Sequence, residues 1–233
     1  MKITIIHGQN RKQSSYHIGT LLANKMTSNP NDINEIVLPR DMPEFCQGCA
    51  VCILKDETYC PHYHYIEPLT KHIDEADLLI FTTPVYAFHA SGSMKAFLDH
   101  YSYRWMSHRP EETMFSKQAV CISTAAGAGM KSAIKTIKDS LFYWGVARIY
   151  SYGVAVGATS WNEVSEKKKE KIQDKIEKLA TKIKKKHSKV KPSIKTKVVF
   201  LVMRHTQSLA WNKVDNNYWK AKGWTDEKRP WKS

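Results

Sequence analysis

The chain has 233 residues, of which 42% are hydrophobic, and this is enough for one domain of ordinary size with a buried core. The sequence contains no apolar run of 18 residues and no signal-peptide pattern at its start, so we expect a cytoplasmic protein without a transmembrane helix. Four of the five cysteines lie between positions 46 and 60. A secreted protein held together by disulfides would spread its cysteines along the chain.

The net charge of +14 is concentrated near the C-terminal end, where residues 161–233 carry 21 Lys and Arg against 8 Asp and Glu. Within this region, apolar residues recur at helical spacing at Ile172, Ile176, Leu179 and Ile183. The pattern predicts an amphipathic helix with its lysines in solvent, starting at the capping box of Ser160 and Glu163. A basic surface can attract nucleic acid, but the region matches no base-reading motif, so nucleic acid is not an expected partner.

Short apolar strands alternate with amphipathic helices along most of the chain. Strands are predicted over residues 2–7, 33–39, 77–84, 118–125 and 148–157. Helices are predicted over residues 14–26, 94–105 and 130–144, along the basic segment, and again from near Pro192. This alternation is typical of an α/β fold, a doubly wound five-stranded parallel sheet with helices on both faces and a cysteine-bearing insert after the second strand.

The chain divides into a domain over residues 1–187 and a C-terminal extension over residues 188–233. Three of the seven tryptophans lie in the last fifteen residues, which is too aromatic for a disordered tail. We therefore expect the extension to pack on the body of the protein or on a second subunit.

The loops that follow the strands are the candidate binding segments, because ligands of open α/β sheets bind at the carboxyl ends of the strands. The first loop joins a strand to a helix N-terminus, a setting that favours a phosphate group. Its candidate residues are Gln9, Asn10, Arg11, Ser14, Ser15 and Tyr16. The loop lacks the glycine pattern of dinucleotide sites, so a mononucleotide fits better. The alternative is an ordinary helix start capped by Ser14 or Ser15.

Two further loops complement the first. After the third strand come Pro84, Val85, Tyr86, Ala87 and Phe88, and the two aromatic side chains are suited to packing on a flat ring. After the fourth strand come Thr124, Ala125, Gly127 and Gly129, whose small size permits close approach of a ligand to the backbone. The alternative is that these residues bind no ligand: the aromatic residues would pack in the core, and the glycines would form a plain turn.

The cysteine segment has the spacing C-x2-C-x2-C-x7-C, formed by Cys46, Cys49, Cys52 and Cys60. Four thiolates in a compact segment suit a [4Fe–4S] cluster. A zinc site is a second interpretation, with His62 and His64 as reserve ligands. A third is a cysteine loop without metal that borders the ligand site.

Four segments together resemble the NADPH-dependent FMN reductases, a family of flavodoxin-like NAD(P)H oxidoreductases: GQNRKQSSY, FCQGCAVC, TPVY and MKAFLDH. The resemblance covers residues 1 to about 160. The sequence departs from the family pattern where Gln9-Asn10 replaces Ser-Pro, Tyr16 replaces Thr, and His100 replaces Arg. The changes at Gln9-Asn10 and Tyr16 are expected to alter some of the phosphate contacts, whereas Arg11, Ser14 and Ser15 remain.

The resemblance implies FMN at the carboxyl edge, with its phosphate on residues 9–16, its ribityl chain and ring on 84–88, and the outer ring edge on 124–129. It implies hydride transfer from NAD(P)H through FMN to a quinone, a flavin or a similar small acceptor, without a catalytic acid or base from the chain. It also implies a homodimer or higher homo-oligomer. The cysteine motif is similar to that of iron–sulfur flavoproteins, which gives an alternative function as an electron carrier between protein partners. A flavin-free binding module is a further alternative.

Overall fold

The computed structural model describes residues 1–187 and 189–232 and contains a five-stranded, all-parallel sheet. Its strands are β1 (Ile3–His7), β2 (Ile33–Val37), β3 (Leu78–Pro84), β4 (Gln118–Ala125) and β5 (Arg148–Ala155). They are arranged in the order β2-β1-β3-β4-β5. This is the flavodoxin-like doubly wound sheet, and it confirms the fold predicted from the alternation of elements.

Eight α-helices of the described residues surround or extend this sheet. They are α1 (Ser14–Met26), α2 (Val51–Leu54), α3 (Tyr63–Glu75), α4 (Gly92–His100), α5 (Met130–Tyr143), α6 (Glu166–Lys184), α7 (Ile194–Ser208) and α8 (Lys213–Ala221). No helix in residues 1–187 or 189–232 combines the length and apolarity needed to cross a membrane.

The sheet is buried on both faces. Helices α1 and α6 cover one face, where Ile3 and Ile5 of β1 pack. Helices α3, α4 and α5 cover the other face, where Ile6 packs beside Phe81 of β3. Successive strand residues point to opposite faces, so strands covered on both sides read as continuous apolar runs.

The basic helix begins later than the capping box predicts. Helix α6 starts at Glu166 and follows Ser165, not Ser160. The Glu163 carboxylate accepts hydrogen bonds from the backbone N–H groups of Thr159 and Ser160, each at 3.3 Å. These bonds close a turn ahead of the helix, so the predicted start is wrong although the amphipathic pattern of α6 is present.

The C-terminal extension adds a third apolar cluster beside the two that cover the sheet. Phe200 of α7 and Trp219 of α8 are buried with Trp224 against Met106 and Phe115, two residues between α4 and β4. Helix α7 starts close to Pro192, near the predicted position, whereas α8 was not predicted. The predicted division of the chain at 187/188 stays a prediction, and residue 188 lies outside the described residues.

Candidate functional site

The first loop is tied to the start of α4 through a glycine. The Gly8 N–H donates to the Thr82 carbonyl oxygen at 2.7 Å. The Ser91 hydroxyl donates to the Gly8 carbonyl oxygen and accepts the Met94 N–H, so that Ser91 also caps α4. A Cβ atom on residue 8 would lie 2.8 Å from Ser91 Oγ, so glycine is required for this close approach.

The N-terminus of α1 presents free N–H groups at the carboxyl edge of the sheet. Its N-cap is Gln13, so the alternative that Ser14 or Ser15 caps the helix is wrong, and both serines are buried. The Gln13 side-chain oxygen instead accepts the backbone N–H of Trp161 at 2.8 Å. Within residues 1–187 and 189–232 no side chain caps α1, and its first turn has no acidic residue. The positive end of the helix dipole therefore remains available to an anion.

The third-strand loop is a tight turn with two aromatic side chains in solvent. The backbone groups of Tyr86 and His89 exchange hydrogen bonds of 3.0 and 2.9 Å. Between them, Ala87 and Phe88 have φ angles of 47° and 65°, a region that non-glycine residues rarely adopt. Tyr86 is 49% exposed and Phe88 is 67% exposed. Strain of this kind in an exposed aromatic turn is typical of a ligand-binding segment.

The fourth-strand loop packs directly against the third-strand loop. Gly129 has a φ of 98°, and a Cβ atom there would lie 2.6 Å from Val85 Cγ1. The Val85 N–H donates to the Thr124 carbonyl oxygen at 2.9 Å, and the Ser132 hydroxyl lies 3.1 Å from His89 Nδ1. These contacts leave no room for a larger residue at position 129.

The three predicted loops converge on one cavity of about 200 Å³. The predicted residues that line it are Gln9, Arg11, Ser14, Pro84, Val85, Tyr86, Thr124 and Ala125. In the described part of the chain, seven other predicted residues are not among its lining residues: Asn10, Ser15, Tyr16, Ala87, Phe88, Gly127 and Gly129. The last two loops nevertheless shape the cavity through the turn at Phe88 and the contact at Gly129.

Five lining residues were not named as candidates: Gln13, Ala126, Val156, Ala158 and Thr159. Gln13 and Ala126 nevertheless fall within the ranges 9–16 and 124–129 that the resemblance assigned to FMN. The other three follow β5, whose carboxyl end reaches the same edge as the other strands because the sheet is parallel. Ligands of open α/β sheets bind at the carboxyl ends of the strands, and we applied this rule only to the loops after the first, third and fourth strands. Applying it to the loop after β5 would have identified these three residues.

The four cysteines of the insert converge on a second, smaller cavity of about 20 Å³, which has no lining residue in common with the first among those described. His62 and His100 also line it, with His62 Nδ1 lying 2.9 Å from His100 Nε2. Burial raises the pKa of Cys52 and Cys60, and the neighbouring thiols raise it further. In residues 1–187 and 189–232, no three Cys, His, Asp or Glu side chains are grouped closely enough to hold a metal ion.

The family model of the NADPH-dependent FMN reductases matches residues 1–160, which include the whole sheet and the three loops. The chain belongs to this family. It is accordingly an NAD(P)H-dependent FMN oxidoreductase.

Two iron–sulfur flavoproteins are similar in sequence to this FMN reductase family member. That of Archaeoglobus fulgidus is 24% identical over 194 residues, which cover 82% of this chain and 84% of the relative. That of Methanocaldococcus jannaschii is 25% identical over 172 residues, which cover 72% of this chain and 85% of the relative. An NAD(P)H:quinone oxidoreductase from Methanothermobacter marburgensis has the same fold, with a TM-score of 0.58 and 16% identity over 77% of this chain and 95% of its own.

A buried histidine lies beneath the first loop of this FMN reductase family member. His7 Nδ1 lies 2.9 Å from Thr82 Oγ1, and the His7 ring packs 4.4 Å from the Tyr16 ring. Burial, together with the charge of Lys12, lowers the pKa of His7 to about 4. His7 is therefore neutral at physiological pH, so the positive charge at this edge comes from Arg11, Lys12 and the N-terminus of α1.

Proposed function

We propose that FMN binds at the carboxyl edge of the sheet, and that the chain uses it to oxidise NAD(P)H and reduce a quinone, a free flavin or a similar small acceptor. The observation that carries this proposal is the convergence of three loops, each predicted from sequence, on one cavity. At Gly8 and Gly129 any Cβ atom would collide with a neighbouring segment. These close contacts fix how the loops pack against each other.

The residues present fit FMN. Arg11 and the uncapped N-terminus of α1 offer a guanidinium and backbone N–H groups to the phosphate. The cavity of about 200 Å³ is smaller than the roughly 300–1,000 Å³ of typical cofactor sites. We therefore propose that it takes the phosphate and ribityl end, while the ring lies against Tyr86 and Phe88.

FMN, when bound, supplies the capacity to accept a hydride and pass on its electrons. The chain itself binds and orients the cofactor, since none of the cavity-lining residues is a His, Asp, Glu, Lys or Cys in the part of the chain described. The exposure of Tyr86 and Phe88 supports a site open to solvent. The nicotinamide and the acceptor would use this open side in turn.

The test combines FMN binding with turnover. The full chain is titrated with FMN and assayed for oxidation of NADPH and NADH with a soluble quinone. Arg11→Met should weaken FMN binding by roughly 10- to 100-fold, the loss expected for a charge-assisted bond to a phosphate. Arg148→Met is the matched control, because Arg148 is exposed at the opposite end of the sheet. A chain that neither takes up FMN nor oxidises either nicotinamide contradicts the proposal.

A second function follows from the convergence of Cys46, Cys49, Cys52 and Cys60 on one cavity. We propose that these four thiols hold a [4Fe–4S] cluster as thiolates, with a zinc ion as the alternative occupant. The donor set matches a cluster in identity and in number, but the thiols lie too far apart in this arrangement to share a metal, so binding would require them to draw closer together. An iron–sulfur flavoprotein of this kind would carry electrons between protein partners.

Metal analysis of anaerobically purified protein tests this second function. Iron and acid-labile sulfide at about four each per chain support a cluster, and zinc without sulfide supports the alternative. Cys49→Ser should lower the bound metal strongly, whereas Cys121→Ser should not, because Cys121 is buried in β4 away from the cavity. Protein without iron or zinc contradicts both.

We further propose a homodimer or higher homo-oligomer and a cytoplasmic location. Apolar side chains exposed along α7 support self-association: Ile194, Val198, Leu201 and Val202. Size exclusion with light scattering tests it, and a monomer at micromolar concentration contradicts it. Fractionation of cells that express the chain tests the location.

A further inference from the structure

The C-terminal extension contacts the cysteine segment through one buried arginine. Arg109 lies between α4 and β4, and its side chain is 5% exposed. Its Nη1 donates to Asp215 Oδ1, in the first turn of α8, at 2.6 Å. Its Nη2 donates to the Cys52 carbonyl oxygen and, at 3.1 Å, to the Glu57 carboxylate. One guanidinium therefore joins α8 to Cys52 and to Glu57, which lies within the Cys52–Cys60 interval.

Asn212 makes a second bond between the extension and the cysteine segment. As the N-cap of α8, its side-chain oxygen accepts the Val214 N–H at 2.9 Å. Its side-chain nitrogen donates to the Ile53 carbonyl oxygen at 2.9 Å and to Asp215 Oδ2 at 3.0 Å. The carbonyl groups of Cys52 and Ile53, adjacent in the chain, are thus both held by α8 or by its partner Arg109.

Asp215 is fixed on every side. Its side chain is 2% exposed, and its second oxygen lies 2.8 Å from His108 Nδ1 as well as within reach of Asn212. Arg109 and Asp215 are both buried, so neither charge can replace its partner with water. Loss of one partner therefore leaves the other charge uncompensated.

The extension also holds the backbone that carries Arg109. Side chains of Gln207, Trp219 and Tyr218 donate to the carbonyl oxygens of Ser107, His108 and Pro110, respectively. These carbonyl groups flank position 109 on both sides. The extension therefore positions the arginine through its backbone as well as through its charge.

We propose that the C-terminal extension is a brace that sets the position of Cys52 relative to Cys60, with Asp215 as a positioning residue that acts through Arg109. The interval between Cys52 and Cys60 contains only the end of the one-turn helix α2 and a short turn at Glu57–Tyr59. Elements this short are not stable by themselves. Arg109 bonds to the Cys52 carbonyl at the start of this interval and to Glu57, the residue that opens the turn before Cys60. The inference goes beyond the proposed cluster, because it applies to free thiols as well.

The brace can be tested by alkylating each thiol in the full chain after chelation of any bound metal, with the rates read by mass spectrometry. Asp215→Asn should speed alkylation of the half-buried Cys52 and Cys60 by about tenfold, because local opening exposes them. Cys46 and Cys49 are already exposed and Cys121 is buried in the sheet, so their rates should not change. Asp215→Glu should restore rates to within about threefold of the original chain, because it returns the charge.

Asp226→Asn is the matched control, since it makes the same carboxylate-to-amide change at an exposed position of the same extension and should leave all five rates unchanged. The proposal is overturned if Asp215→Asn changes the alkylation rates of Cys52 and Cys60 by less than twofold relative to the original chain. If Asp215→Asn also exposes Cys121, Asn212→Ser decides: it keeps a capping oxygen, keeps the Asp215 carboxylate, and loses the side-chain donor to Ile53 and Asp215. Selective acceleration of Cys52 in that variant supports the brace, and no change overturns it.

Discussion

Gly129 and Val85 meet at a distance that only glycine allows, since a Cβ atom at position 129 would lie 2.6 Å from Val85 Cγ1. Gly129 follows β4 and Val85 follows β3, so this contact fixes the relative position of two of the three loops around the candidate FMN cavity. The conformation of Gly129, with φ of 98°, adds a second reason for glycine.

Replacement of Gly129 should damage both stability and cofactor binding. Gly129→Ala should lower the free energy of unfolding by about 2–4 kcal/mol, from the strained backbone and the overpacked contact. Urea unfolding and FMN titration measure the two effects. Gly127→Ala is the control, because a Cβ atom at position 127 would meet no described atom within 4 Å. Equal behaviour of the two variants would disprove the role assigned to this contact.

The exposed ring of Phe88 should contribute to FMN affinity and little to folding. Phe88→Ala should weaken FMN binding by roughly tenfold, the loss of about 1–1.5 kcal/mol expected for an aromatic pair. The apo protein should keep its unfolding midpoint, because Phe88 is 67% exposed. Phe45→Ala, at 69% exposure, is the control and should leave FMN affinity unchanged. If Phe88→Ala binds FMN with unchanged affinity, the FMN ring does not lie against the turn at residues 86–89.

His7 should make the protein less stable in acid. Its pKa falls from 6.5 to about 4 on folding, so the unfolded chain binds more protons between these values and stability drops as pH falls through that window. Between pH 7 and pH 4.5 this group alone should cost about 2 kcal/mol. His7→Asn should show a loss smaller by that amount in urea unfolding at the two pH values. The same pH dependence in both proteins would mean that His7 does not titrate in this range.

The ion pair of Arg104 and Asp74 should be a major contributor to stability. The two side chains lie 2.6 Å apart, with Arg104 almost fully buried. Asp74→Asn should lower the free energy of unfolding by about 3–5 kcal/mol, because it leaves a buried charge without its partner. Lys95→Met breaks the exposed pair with Asp99 and should cost about 0.5 kcal/mol or less. Similar losses from the two variants would show that burial of Arg104 has little effect.

The sequence alone determined the strands, the sheet class and the three loops at its carboxyl edge. These features are local: apolar runs set the strands, and the end of a parallel strand dictates where its loop lies. Arg11, Tyr86 and Thr124 could be placed in one candidate site on that basis, although they are far apart in the chain. The cysteine spacing was local in the same way, and in the structure the four cysteines line one small cavity.

The tertiary structure decided what depends on side-chain direction and on distant partners. Ser14 and Ser15 are buried within the first turn of α1 and the N-cap is Gln13, which periodicity does not reveal. Thr159 reaches the cavity only because β5 pairs in parallel with β4. Arg109 and Asp215 are 106 positions apart, and no local pattern predicts that a buried charge pair will join them. Such contacts arise from packing, because burial selects partners by proximity in space and not by distance along the chain.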